Sequence, residues 1–190
     1  MSTLPKKRYT PEEYLTLERK AEYKSQYYDG EIFAMAGATR RHNLIAVNVG
    51  RELSAQLKGR PCEVYPSDMR VKVSPTGLYT YPDVVVVCAE PRFEDEQEDT
   101  LLNPTLIVEV LSPSTEDYDR GRKFAHYRRI ESLAEYVLVA QQEHHVERHR
   151  RQETGEWVLW ETDRPDDTVT LASIGCELAL VEVYDKVEFD

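Results

Sequence analysis

Apolar residues recur every four positions between Thr39 and Lys58, at Ile45, Val49, Leu53 and Leu57, and Gly59 follows them. That spacing keeps one face of an α-helix apolar, and the glycine suits its C-terminal cap, so the chain should form a helix here with its inner face on a sheet. The pattern then changes. Glu63 to Pro66, Asp68 to Val73, Pro82 to Cys88 and Thr105 to Leu111 are short, rich in Val, Ile or Tyr, and separated by Pro, Gly or acidic stretches, which predicts strands. Val84-Val85-Val86-Val87 and Leu106-Ile107-Val108 do not alternate. Both faces of those strands should therefore be covered, as at the centre of a sheet flanked by helices. Ser112-Pro113-Ser114-Thr115 breaks the last of them, a helix is expected over Asp119 to Ile130, and a further strand over Glu135 to Ala140.

The flanks add smaller elements. Thr10-Pro-Glu-Glu13 predicts a helix start with Thr10 as cap, Pro11 at the first helical position and Glu13 closing a capping box, the helix running to about Lys24. Asp29-Gly30, between Tyr27-Tyr28 and Ile32-Phe33-Ala34-Met35, predicts a peripheral hairpin. Beyond Ala140, His145 to Arg150 and Glu156 to Glu161 flank Thr154-Gly155 as a second hairpin, and Thr168 to Leu171 with Leu178 to Val187 form a closing segment. The acidic stretch Glu94 to Asp99 is expected to be a solvated loop. The expectation is a single α/β domain over residues 1–190, ordered from Thr39 as helix, three strands, helix, strand, with an N-terminal helix and hairpin and a C-terminal β extension.

Composition narrows what such a chain does. With 41% hydrophobic and 31% charged residues it has the means for a core and is too polar for a membrane bundle. No run of about 18 apolar residues could span a bilayer. Lys6, Lys7 and Arg8 near the N-terminus are not followed by an apolar segment, so no secretory leader and a cytoplasmic location are expected. Cys62, Cys88 and Cys176 are odd in number and far apart, with no Cys-x-x-Cys pair, so neither a disulfide framework nor a zinc site is expected. A formal charge of −11 opposes sequence-independent attraction to a polyphosphate. Any nucleic-acid role must rest on a local basic rim, for which Arg40, Arg41, Arg120, Arg122, Arg128 and Arg129 are candidates.

Two acids stand where chemistry could gather. Asp83 enters one apolar strand and Glu109 lies near the exit of the next. If those strands are neighbours the carboxylates converge, and at about 4 Å two like charges repel by roughly 4 kcal/mol at an effective dielectric near 20. A proton, a basic partner or a divalent ion must offset that repulsion. Carboxylates with a backbone carbonyl and waters suit Mg²⁺; the alternative is that either acid marks a strand end and faces solvent. Asp119, Lys123 and Tyr127 follow at four-residue intervals on one helical face, so Lys123 can point back at the acids. There it could stabilise charge developing on a scissile phosphate, unless it is an ordinary surface ion pair with Asp119. Ser112 or Ser114 with His126 and Asp119 does not read as a serine hydrolase, because no Gly-x-Ser-x-Gly elbow surrounds either serine. His144, His145 and His149 sit among charged residues and read as part of a solvated hairpin.

Taken together, Tyr28-Asp29-Gly30-Glu31, the helix beginning near His42, Ser67-Asp68-Met69-Arg70-Val71, Pro82-Asp83-Val84, Glu109-Val110-Leu111-Ser112-Pro113-Ser114-Thr115, Asp119 with Lys123 and Tyr127, and Glu135-Tyr136 resemble the Uma-two family of endonucleases within the restriction-endonuclease-like PD-(D/E)XK superfamily. The resemblance covers most of the chain. It implies a restriction-endonuclease-like core and Mg²⁺- or Mn²⁺-dependent hydrolysis of phosphodiester bonds, with DNA as substrate. It makes Asp83 and Glu109 the metal-binding acids, with the Val110 carbonyl as a further ligand. Leu111 stands where the superfamily pattern has its lysine, and Lys123 on the following helix matches the lysine's place in this family. Asp68 is a second-tier candidate for the same cleft, with a turn or a pairing to Arg70 as its alternative. His42 is another, near a helix start that favours anions, with capping or packing as its alternative. The superfamily's habit implies a homodimer for duplex cutting. The rival expectation is a catalytically silent module that keeps the fold for binding or dimerising.

Overall fold

Thr10 opens the first helix of the computed structural model, which describes residues 7–189; Lys6 and the residues before it, on which part of the leader expectation rests, lie outside the described residues. The Thr10 hydroxyl accepts from the Glu13 N–H and the Glu13 carboxylate accepts from the Thr10 N–H, a complete capping box for α1 (Pro11–Glu18). The helix stops well short of Lys24. Its last turn tightens as the Lys20 and Ala21 N–H groups reach back only three residues, and the Glu18 carboxylate accepts from the Ser25 N–H, turning the chain into β1 (Ser25–Tyr28).

The chain continues through β2 (Glu31–Ala34), α2 (Arg40–Gln56), β3 (Glu63–Pro66), β4 (Arg70–Val73), β5 (Leu78–Thr80), β6 (Val84–Val87), β7 (Thr100–Leu101) and β8 (Leu106–Leu111). A helical stretch follows, made of α3 (Glu116–Tyr118), a π-helical turn over Asp119–Lys123, and α4 (Phe124–Tyr127). Then come β9 (Glu135–Ala140), the hairpin β10 (Val146–Arg151) and β11 (Trp157–Thr162), the pair β12 (Thr168–Leu171) and β13 (Cys176–Ala179), and α5 (Leu180–Val183). Of the expected closing segment Leu178 to Val187, Leu178 and Ala179 end β13, Leu180–Val183 is helix, and the chain then turns.

The fold is mixed α/β. A six-stranded sheet runs in the order β11-β10-β9-β8-β6-β3, with β8 and β9 parallel and its other neighbours antiparallel. Alternation along β6 and β8 sends Val84, Val86, Leu106, Val108 and Val110 to one face, packed against Ile45, Val49 and Leu53 of α2 and against the C-terminal segment. Val85, Val87, Ile107 and Leu111 go to the other face, packed against Val71, Val73 and Leu78 and against Tyr127. Both valine runs are therefore covered on two sides. Burial of this kind contributes about 25 cal/mol per Å² of apolar surface removed from water.

Three expectations change. The Asp68 to Val73 segment does not join the central sheet: Ser67 and Asp68 form a turn closed by the Met69 N–H on the Pro66 carbonyl, and β4 belongs to a second sheet ordered β2-β1-β5-β4-β7, which also takes in the N-terminal hairpin. The acidic loop is tied down, with Arg19 bonded to Asp95 and Asp99, Arg70 to Asp99, and Lys72 and Tyr79 to Glu94. A disulfide joins Cys62 to Cys88. The pair sits one register step beyond Glu63 opposite Val87 in the antiparallel β3–β6 ladder, a juxtaposition that 26 residues of intervening sequence conceal.

Candidate functional site

Glu109 lies between Val108 and Val110 in β8, so alternation turns it to the face of Ile107 and Leu111, beneath the helical stretch that follows. Its residue exposure is 4%. Its Oε1 accepts from the Lys123 Nζ at 2.7 Å and from the Tyr127 hydroxyl at 2.8 Å. The same Lys123 amine lies 3.1 Å from Asp119 Oδ1. Asp119 and Lys123 begin and end the π-helical turn, and the Tyr136 hydroxyl of β9 donates to the Asp119 carbonyl at 3.1 Å, fastening that turn to the sheet.

Asp83 arrives from the neighbouring strand. Val84 pairs with Val108, so continuing the register one step sets Asp83 opposite Glu109 and on the same face. Its Oδ2 accepts from the Val110 N–H at 2.7 Å and its Oδ1 lies 2.8 Å from His42 Nε2, each of the two side chains being 15% exposed. His42 is placed by the start of α2, where the Thr39 hydroxyl accepts from its N–H as helix cap.

Charge in this cluster is uneven: Asp83, Glu109 and Asp119 face one lysine. Burial pushes the Glu109 carboxyl up to about 8 against the pull of Lys123, and the nearby charges of Asp119 and Asp83 push the same way as burial. Burial works against the Lys123 charge, but Glu109 and Asp119 outweigh it and hold the amine protonated above its usual range. Burial also raises the Tyr127 and Tyr136 hydroxyls well above the usual tyrosine range, so both remain donors.

Of the five sequence candidates, the structure brings Asp83, Glu109, Lys123 and His42 together as two bonded pairs, His42 with Asp83 and Lys123 with Glu109, on the neighbouring strands β6 and β8. Asp68 is not brought there. Its side chain is 86% exposed and pairs with Lys24 at 2.9 Å, and Arg70, its suggested partner, bonds Asp99 instead. Asp119, Tyr127 and Tyr136 are the members that residue-type reasoning did not nominate as functional; the four-residue spacing of the first two with Lys123 was the available signal. Among the basic rim candidates, Arg120 is committed to Glu116 and Glu147, while Arg40, Arg122, Arg128 and Arg129 are exposed. The histidines of β10 and the loop before it are split: His144 packs on Tyr184 and Phe189, while His145 and His149 flank the Glu147 carboxylate at 3.5 and 4.0 Å, with His149 also packed on Phe124. Among the described residues no group of three or more His, Cys, Asp or Glu side chains is placed to hold a metal ion, so an ion at this site would have two carboxylates and take its remaining ligands from backbone or water. That donor set, all oxygen and carrying excess negative charge, fits a hard divalent cation.

This fold is shared with a solved structure described as "a putative nuclease belonging to DUF820 from Anabaena variabilis ATCC 29413", at a TM-score of 0.74 and 20% identity, covering 93% of this chain and 98% of that one. Residues 11–181 match the family model "Uma2: Putative restriction endonuclease", and the chain belongs to that family. Two proteins of Synechocystis sp. (strain ATCC 27184 / PCC 6803 / Kazusa) are similar to it. "Uncharacterized protein slr1290" is 36% identical over 180 residues, 95% of this chain and 93% of that protein. "Uncharacterized protein sll1609" is 40% identical over 152 residues, 80% of this chain and 86% of that protein.

Proposed function

We propose that this protein is a Mg²⁺- or Mn²⁺-dependent endonuclease with a restriction-endonuclease-like core, hydrolysing phosphodiester bonds of DNA, and that it acts as a cytoplasmic homodimer. The observation that carries the reading is the juxtaposition of Asp83, at the entry of β6, with Glu109 of the neighbouring β8, where Lys123 from the next helix bonds Glu109. Asp83 and Glu109, with the Val110 carbonyl, would hold the ion. A divalent ion bound there supplies charge neutralisation and makes a water easier to deprotonate. Lys123 stabilises negative charge developing on the scissile phosphate. Tyr127 and His42 are positioning residues: Tyr127 fixes the Glu109 carboxylate by donating to Oε1, and His42 fixes the Asp83 carboxylate through Oδ1. The membership in a family described as restriction endonucleases supports the same chemistry.

A second reading, a silent binding or dimerisation module, is favoured by one observation: the Lys123 side chain is 6% exposed and bonded to both Glu109 and Asp119, as in a closed ion pair. Calorimetric titration of Mg²⁺ and Mn²⁺ into parent and Asp83→Ala protein, followed by incubation with labelled single- and double-stranded DNA, separates the two. The nuclease reading expects heat and cleavage from the parent and neither from the variant. Absence of heat from both, with intact DNA, would leave the silent module.

A further inference from the structure

At the start of α2, one turn from His42, a hollow of about 350 Å³ is lined by Thr39, Arg40, Arg41, Pro113, Gln141 and Gln142. It lies where the parallel strands β8 and β9 end, since Leu111 pairs with Ala140, Gln141 follows Ala140 directly and Pro113 is two residues past Leu111. The C-terminal ends of parallel strands are where open α/β sheets place their ligands. Gln141 is only 5% exposed. Its Oε1 accepts from the Thr39 hydroxyl at 2.5 Å, at the short end for O–H···O and too short for N–H···O, so the other end of the amide is the nitrogen. That Nε2 is buried and has no hydrogen-bond partner among the described residues. A buried amide donor without an acceptor costs about 1–3 kcal/mol, and a ligand acceptor towards which the side chain turns would recover it.

The surroundings define what kind of acceptor. α2 is 17 residues long, and the N-terminal end of its dipole faces the hollow. Arg40 is exposed and enters none of the ion pairs among the described residues, in a chain with 35 acidic residues. A helix start, an unpaired guanidinium and a waiting amide donor together select a tetrahedral oxyanion. Thr39 links this place to the acids, because its hydroxyl caps the residue, His42, that holds Asp83.

We propose that this hollow is a phosphate subsite, built from Arg40, the Gln141 amide and the first turn of α2, that grips a backbone phosphate of the DNA beside the one cleaved. The proposal rests on the nuclease reading and adds where the strand is held. A polyphosphate strand and free inorganic phosphate share this chemistry, and the test has an arm for each.

Binding of a labelled duplex by parent, Arg40→Ala and Gln141→Leu protein is measured by fluorescence anisotropy across a salt series with chelator present to prevent cleavage. Arg40→Ala should lower the slope of log affinity against log salt by about 0.9, one phosphate's share. Gln141→Leu removes a neutral donor, so it should weaken binding about tenfold at every salt concentration without changing the slope. In the second arm, inorganic phosphate is titrated while the Gln141 side-chain NH₂ is followed by NMR; it should shift in the parent and not in Arg40→Ala. Arg40 is exposed, so its variant tests the site even if Gln141→Leu fails to fold. A parent that cleaves DNA while both variants bind it with parental slope and affinity overturns the subsite and leaves the nuclease reading standing. Phosphate shifts together with parental DNA binding in both variants would make the hollow a free-anion site, against the proposal. A parent that neither binds nor cuts DNA overturns both.

Discussion

Two acidic clusters lie in this molecule, and they are built on opposite terms. Around the loop before β7, Asp95 and Asp99 meet Arg19 and Arg70, two acids against two guanidiniums. The hydrogen bond from Arg19 leads in holding the Asp99 carboxyl well below the usual range despite partial burial. Around Glu109, three acids face one lysine, the group is almost fully buried, and the Glu109 carboxyl is pushed up rather than down. Matched charges with access to water join α1 to β4 and contribute to folding; in the dry cluster burial outweighs the single lysine and drives the Glu109 carboxyl towards its neutral form.

The sharpest way to break that contrast is to remove the one lysine. Lys123→Met leaves Glu109 and Asp119 buried without their partner and should cost about 3–5 kcal/mol in urea unfolding. Adding Glu109→Gln should recover part of that loss, because the remaining buried charge is reduced; a double variant as unstable as the sum of its singles would mean the two side chains are not coupled. Asp99→Asn should cost less, about 1–3 kcal/mol, since it removes charged hydrogen bonds at a partly solvated site. Its pH dependence has a definite sign. The Asp99 carboxyl is depressed when folded, so its contribution is present above its ordinary value of 3.8 and lost as pH falls below it. Parent and Asp99→Asn stabilities should therefore converge on acidification, and a gap that widens instead would reject the pairing. The smallest effect belongs to Asp68→Ala. Its exposed pair with Lys24 should be worth no more than about 0.5 kcal/mol, and the heat of Mg²⁺ binding should be unchanged.

What the sequence made legible follows from local physics. The four-residue spacing of Ile45, Val49 and Leu53, with Gly59 after it, locates α2 to within a residue or two, and the unalternating valines mark a strand covered on both faces. β5 and β7 escaped because strands of three and two residues carry no periodicity and are stabilised by partners far away in sequence. The same holds for the Cys62–Cys88 bond and for the solvent-facing turn at Asp68, each decided by pairing that no local pattern encodes. At the site, Asp83, Glu109 and Lys123 were legible from strand ends and helical spacing. Gln141 was not, because a glutamine after a strand becomes notable only when its amide is found buried and without an acceptor.

The widened turn between Asp119 and Lys123 has a bearing on homologues. A π-helical turn accommodates one residue more than regular α-helix, so a relative shorter by a single position there can close the turn as α-helix and keep everything downstream in phase with the sheet. Across the family, then, the interval separating the β8 glutamate from its lysine, 14 positions in this chain, can be one shorter without moving the amine off the carboxylate.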